Sequence, residues 1–304
     1  MFLDYYREVL GYQEIPYFMV KYLKCPTLVR LKKVGYFCGM DYASKNIYNF
    51  GEYVSRFDHS LNVALITYKY TKSKKEALAG LFHDAATPCF SHVIDYMNKD
   101  YANQESTEEY TERVLKKDKY FLSCLKKDKI KIEDIIDFKK YSIVDNKRPK
   151  LCADRLDGVI LTGSFWTKNL DLLDVKRIIR DLAVFQNEEK RHELGFRTYD
   201  IVKKVVSVSE SIDIICHSDE DNYMMELLAN LTRFAIDKEY ITYDDLYYEN
   251  EEYLFDIFDE IDDPQFRKGY AKFKNIKLDE ISKIELPYIK KRDLNPLFMG
   301  KRFH

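Results

Sequence analysis

The chain has 304 residues, with 49 Lys and Arg against 51 Asp and Glu and a formal net charge of -2. That length can bury a sizeable core and sits near the upper size of one domain, while the balanced charge supplies no overall field to draw a nucleic acid or an anionic membrane surface. No uncharged run approaches the roughly 18 residues of a membrane span, and the six cysteines (Cys25, Cys38, Cys89, Cys124, Cys152, Cys216) form no C-x-x-C pair, which suits reduced thiols and a cytoplasmic location.

Only 10 Gly and 7 Pro interrupt the sequence, and apolar residues recur mainly at three- and four-residue spacing. The pattern predicts helix nearly throughout, with few strands. Arg56 to about Thr71 reads as a helix with Leu61, Ala64, Leu65 and Tyr68 along one side, and Lys74 to about Ala85 as a second with Ala77, Leu78, Leu81 and Phe82 facing inward. Thr87-Pro88 is expected to cap and restart a helix, and Ser106 to Glu109 has the pattern of a capping box. Helices are then expected at about Ile132 to Tyr141, Pro149 to Leu161, Leu170 to Phe185, Glu193 to Ser209 and Asp219 to Ile236, with Asp263-Pro264 opening another. The acidic stretch from Tyr243 to Asp263 reads as solvated helix faces, and the basic stretch from Lys290 to Arg302 as a solvated, partly ordered terminus rather than a nucleic-acid contact.

Three segments carry the chemistry: Arg56-Phe57-Asp58-His59, His83-Asp84 and Asp154-Arg155-Leu156-Asp157. His59 falls near the start of one predicted helix, His83 and Asp84 at the end of the next, and Asp154 on a third, with Asp157 one turn away on the same side. Two imidazoles and two carboxylates can hold one divalent cation and leave positions open for water and a phosphate oxygen. Adjacent His and Asp serve one ion only where a helix ends, since helical neighbours diverge by about 100°. The competing view is that His-Asp pairs are common in so acidic a chain and that buried histidines are usually hydrogen-bonded core residues. Against it, His59, His83 and His92 fall on three successive predicted helices, each beside an apolar face.

These segments resemble the HD superfamily of metal-dependent phosphohydrolases, and within it most the deoxynucleoside triphosphate triphosphohydrolases. Arg56 to Val63 is similar to that group's R-F-E/D-H-S-L-G-V, Leu81 to His92 to its L-x-H-D-x-G-H-x-P-F-S-H, and Asp154 to Asp157 to its D-K/R-L/W-D; Cys25 to Lys32 looks like the T-P-x-F/V-x-R-L-R/K stretch upstream. The resemblance runs from about Pro26 to Asp157. It implies that His59, His83, Asp84 and Asp154 are metal ligands, and that Arg56 and Arg155 bind substrate phosphates, a task for which fork-shaped, permanently charged donors are suited. Ion pairs are the alternative for both arginines, with Asp58 or Glu52 as partners for Arg56.

The departures are equally specific. The family's catalytic histidine after H-D-x-G becomes Thr87, a second one further on becomes Gln104, and the tyrosine and aspartate that contact the nucleotide become Gly158 and Thr162. None of these replacements moves a proton near neutral pH. His92 and Glu105 remain as candidate acid–base residues, with an ordinary helix-entry carboxylate the alternative for Glu105.

The sequence therefore predicts an all-α fold, with an HD-type core and N-terminal segment over 1–165 and a C-terminal helical extension over 166–304 that packs on the core and is a candidate for self-association. The expected activity is hydrolysis of a phosphate ester or anhydride, foremost in a nucleotide, with one divalent ion (manganese, iron, nickel, zinc, cobalt or magnesium), a small-molecule substrate and no membrane. An HD module that binds metal and nucleotide as a sensor is the alternative. A di-iron oxygenase-like version is a third reading, whose additional ligands the sequence supplies poorly, with Thr87 and Gln104 at positions where histidines could have served.

Overall fold

The computed structural model describes residues 2–102, 110–284, 286 and 288–304. Glu105, Gln104 and the capping box at 106–109 lie outside the described residues. In chain order the helices are α1 (Phe2–Val9), α2 (Tyr17–Val20), α3 (Pro26–Leu31), α4 (Arg56–Thr71), α5 (Lys74–Phe82), α6 (Val93–Met97), α7 (Tyr110–Lys117), α8 (Lys119–Asp128), α9 (Glu133–Ile136), α10 (Ala153–Phe165), α11 (Leu172–Asp181), α12 (Tyr199–Cys216), α13 (Asp219–Asp237), α14 (Asp245–Tyr248), α15 (Glu251–Glu260) and α16 (Pro264–Asn275). The strands are β1 (Leu182–Gln186), β2 (His192–Phe196), β3 (Leu297–Phe298) and β4 (Lys301–Arg302). The architecture is thus helical, with one small sheet.

The long helix α4 is the centre of the packing. Ser55 and Asp58 close a reciprocal capping box at its start, and Lys72, in the left-handed region at φ 56, ends it. Arg56 to Thr67 is buried all round apart from Asp58, because α5 and α10 pack against it on different sides. A helix with only one apolar stripe could not occupy this place. The apolar core is continuous from Tyr6 and Leu10 in α1 to Phe273 and Ile276 at the end of α16.

The chain departs from its helical reading in five places. Leu170 to Phe185 divides into α11 and β1, and Glu193 to Ser209 into β2 and α12. The two strands pair antiparallel, Leu182 with Phe196 through Gln186 with His192, across a turn in which Lys190 takes φ 60. Short apolar runs fit either period, and here the tight turn and the buried Glu193 settle them as strands. The restart predicted at Thr87-Pro88 is delayed to α6. Arg30 donates to the Thr87 carbonyl, Cys89 N donates to Leu246 O at 2.7 Å, and Phe90 and Ser91 both take positive φ. The predicted helix at Pro149 begins only at Ala153, and that at Ile132 to Tyr141 shrinks to α9 and a 3-10 turn at Phe138–Lys140.

The acidic stretch is not merely solvated, since Glu251 is completely buried. Nor is the basic terminus loose. β3 pairs parallel with β2 and antiparallel with β4, and Arg302 Nη1 lies 2.6 Å from Oε1 of the buried Glu193. Gly195 permits this approach, as a Cβ there would lie 2.6 Å from Leu297 O. Asp263 caps α16 through Gln265 N and Phe266 N, as the Asp-Pro pair predicts. No described helix is long and apolar enough to cross a membrane.

Candidate metal centre

The capping box at Ser55 fixes where α4 starts, and so places His59 in its first turn with a side chain only 2% exposed. From α10, Asp157 and Asp154 reach the two nitrogens of this one ring: Asp157 Oδ2 lies 2.8 Å from Nδ1 and Asp154 Oδ1 lies 3.1 Å from Nε2. Asp157 is wholly buried and its oxygens accept, so Nδ1–H donates to it, and Nε2, on the Asp154 side, is the nitrogen left to face a metal once it gives up its proton. Residues 154 and 157 share a helical face, and that spacing grips both ends of the imidazole.

His83 is set up in the same way by different means. It follows the last residue of α5, and its Nδ1–H donates to Gly80 O at 2.7 Å, one turn back. Its Nε2 is buried and has no hydrogen-bond partner among the described residues. That atom stands 3.6 Å from Asp154 Oδ1 and 3.7 Å from Asp84 Oδ1, and the His59 and His83 ring centroids are 5.2 Å apart. Asp84 completes the set, its Oδ2 3.8 Å from His59 Nε2 and 3.1 Å from Arg56 Nη1.

His59, His83 and Asp154 each offer a donor atom within 4.8 Å of the others. Donors that share a divalent ion at about 2.0–2.2 Å lie about 3–3.5 Å apart, so the set needs only a small contraction to close on one. An unpartnered buried nitrogen carries a cost of about 1–3 kcal/mol, and a metal is the partner that His83 Nε2 fits.

The electrostatics agree. Burial opposes a charge on His59, yet its hydrogen bonds to Asp154 and Asp157 hold the imidazole up to about 10. Burial also works against an ionised Asp84, but His83, Arg56 and His59 together hold it down to about 2. Burial raises Asp157 above the ordinary carboxylate range in spite of His59. The pocket thus favours positive charge among its carboxylates.

The remaining candidates are distributed around this centre. Arg56 Nε donates to Ser91 Oγ at 3.2 Å, and its guanidinium carbon sits 4.8 Å from the Tyr36 ring centroid; its anion is Asp84, not Asp58 or Glu52. Arg155 pairs with Asp145 at 3.1 Å and donates to Lys150 O. His92 caps α6 and directs Nδ1 to Asp95 Oδ2 at 2.9 Å, with a side chain 32% exposed; burial lowers its pKa. A second donor group, Asp145, Cys152 and Asp154, shares the Asp154 carboxylate, which the sequence did not reveal. Arg155 and the Cys152 thiol, 3.7 Å away, already engage Asp145 Oδ1.

Several contributors escaped sequence reasoning. Tyr36 is held beside Arg56 because Tyr36 N donates to Val54 O and Arg56 N to Val34 O, both at 2.8 Å. Glu251, from α15, accepts from Gly35 N at 2.9 Å and Phe90 N at 3.0 Å, tying the two loops that flank Arg56. Burial pushes its carboxyl up to about 8. A glycine at 35 before an aromatic residue was the faint signal for the first; nothing local marks the second. His192 and His217 lie elsewhere, the first on β2 and the second bonded to Asp213 O at 2.6 Å. Trp166 packs against Phe37, Phe50 and Tyr48.

Residues 56–158, which span every one of these histidine and aspartate ligand candidates, match the HD domain family. The chain is similar to the uncharacterized protein YdhJ of Bacillus subtilis, 28% identical over 153 residues that cover 49% of this chain and 44% of that protein. It is also similar to the metal-dependent phosphohydrolase cns2 of Cordyceps militaris, 26% identical over 132 residues, 43% of this chain and 37% of that protein. The chain thus spans less than half the length of either relative. These matches support the HD superfamily, whose domains bind a divalent metal.

Proposed function

We propose that this HD-domain chain is a metal-dependent phosphohydrolase, acting on a phosphate ester or anhydride and foremost on a nucleotide. The observation that carries the reading is the orphaned Nε2 of His83, aimed at the same small volume as His59 Nε2, Asp154 Oδ1 and Asp84 Oδ1. His59, His83, Asp84 and Asp154 would hold the ion. Such an ion lowers the pKa of a bound water and neutralises charge on phosphoryl oxygens.

The chain's own groups supply the rest. Asp157 fixes the His59 ring and Gly80 O fixes His83, so neither ligand must be oriented when substrate arrives. Arg56, pinned by Ser91 and Asp84 at the edge of the centre, is a phosphate contact. Arg155 is a second, which must turn from Asp145 to serve. His92 is the acid–base residue: Asp95 holds its Nδ1–H, so Nε2 is the atom that takes up or returns a proton. Glu105 is the alternative for that role.

A metal-supplemented screen of nucleoside mono-, di- and triphosphates with product identification tests the proposal. Turnover of one substrate group, abolished by His83→Ala, is the expected result. Release of triphosphate would favour the triphosphohydrolase subgroup, and orthophosphate a monophosphatase. Tight nucleotide binding without turnover under every metal would favour the sensor reading instead, in keeping with Thr87 and Gln104.

A further inference from the structure

Tyr36 stands at the metal centre without having been singled out by any motif. The backbone there is rigid: Gly35 bridges to Ser55, and the bonds Tyr36 N to Val54 O and Arg56 N to Val34 O lie on either side. The side chain is clamped as well. Its ring centroid is 5.0 Å from that of His59, and the Arg56 guanidinium covers it at 4.8 Å.

The hydroxyl lies against α10. A Cβ on Gly158 would come within 3.0 Å of Tyr36 Oη, and Gly158 is four residues beyond Asp154, one turn along the same face at about 6 Å of rise. The phenol oxygen therefore touches the helix that carries Asp154, while the Arg56 guanidinium lies over its ring. The ring is only partly buried, and Oη makes no hydrogen bond among the described residues. With its ring held by neighbours, the group left to act is a neutral O–H donor.

We infer that Tyr36 is a substrate-contacting residue, its hydroxyl donating a hydrogen bond to a non-bridging oxygen of the phosphoryl group bound at the metal centre. The inference rests on the phosphohydrolase reading. The phenol lies beside both groups that an anion at this centre would meet, Arg56 over its ring and the helix of Asp154 at its hydroxyl, and a donor on a ring held by its neighbours loses little freedom on binding it. Gly158 belongs to the same device: alanine there would press on the hydroxyl, which would have to give by a few tenths of an ångström.

The test is calorimetric titration of manganese-loaded protein with inorganic phosphate, alongside manganese content and thermal stability. Tyr36→Phe should keep its manganese and its melting temperature but bind phosphate about ten- to a hundredfold more weakly, the range for a hydrogen bond to a charged group. Gly158→Ala should keep its manganese and its helix content, alanine being the better helix former, and should lose phosphate affinity in the same direction. Wild-type affinity in both variants overturns the inference, as does a Tyr36→Phe protein whose only change is a lower melting temperature. If wild-type protein binds manganese but neither binds phosphate nor hydrolyses any phosphate compound, the phosphohydrolase reading itself fails, a result separate from that of the variants.

Discussion

Asp157 Oδ2 lies 2.8 Å from His59 Nδ1, on the opposite side of the ring from Asp154 and with no exposure to solvent. This bond decides which nitrogen of His59 is offered to a metal. Asp157→Asn can keep an acceptor at Nδ1 but gives up the charge behind the ring, and manganese affinity should fall about 10- to 100-fold. Competition with a chelator of known affinity measures it; unchanged affinity would show that the ring is held by packing alone.

His83→Ala removes the orphaned nitrogen and should strip the protein of manganese while leaving its helix content intact, because the neighbouring Leu81 and Phe82 side chains carry the packing there. Asp84→Ala should do the same. Elemental analysis with circular dichroism reads both. Full metal content in either variant means that the side chain concerned is not a ligand.

Arg56 and Arg155 are distinguishable by their present partners. Arg56 holds Asp84, so Arg56→Ala should weaken phosphate binding about tenfold or more while manganese binds as well as before or better, the guanidinium no longer competing for that carboxylate. Arg155 holds Asp145 and the Lys150 carbonyl, so Arg155→Ala should lower the melting temperature as well as phosphate affinity. If it lowers the melting temperature alone, Arg155 is a structural ion pair.

Glu251 makes stability depend on pH away from the metal. Burial raises its carboxyl from 4.5 to about 8, so between those values the folded chain holds a proton that the unfolded chain has released, and the contribution present below about 4.5 is lost as pH rises through about 8. Glu251→Gln cannot ionise. Its melting temperature should lie below that of wild type at pH 5, and the gap should narrow by a few degrees towards pH 9. A constant gap would mean that Glu251 does not titrate in this range.

The candidate ligands were legible because each is marked locally: His59 at a capped helix start, His83-Asp84 where a helix stops, and Asp154 with Asp157 at i and i+3 are patterns written within short segments, which the fold brings to one place. What the sequence concealed depends on distant backbone. That Glu193 to Phe196 is strand rests on its pairing with β1 across a tight turn and on Leu297 arriving beside Gly195. Glu251, one acid in an acidic run, acquires its role only because Gly35 N and Phe90 N converge on it. Tyr36 is likewise ordinary until α10 presents a glycine to its hydroxyl.

The pairing of Arg302 with Glu193 bears on how the protein is handled. Glu193 has no exposed surface and takes both guanidinium nitrogens of Arg302, at 2.6 Å each. A chain shortened before Leu297 would leave that carboxylate buried without its counter-charge, a defect worth about 3–5 kcal/mol, and would strip β2 of its neighbour. Loss of soluble yield and faster proteolysis should then appear before any change at the candidate metal centre, whose ligand candidates all precede β1 in the chain, so affinity tags are better carried at the amino terminus.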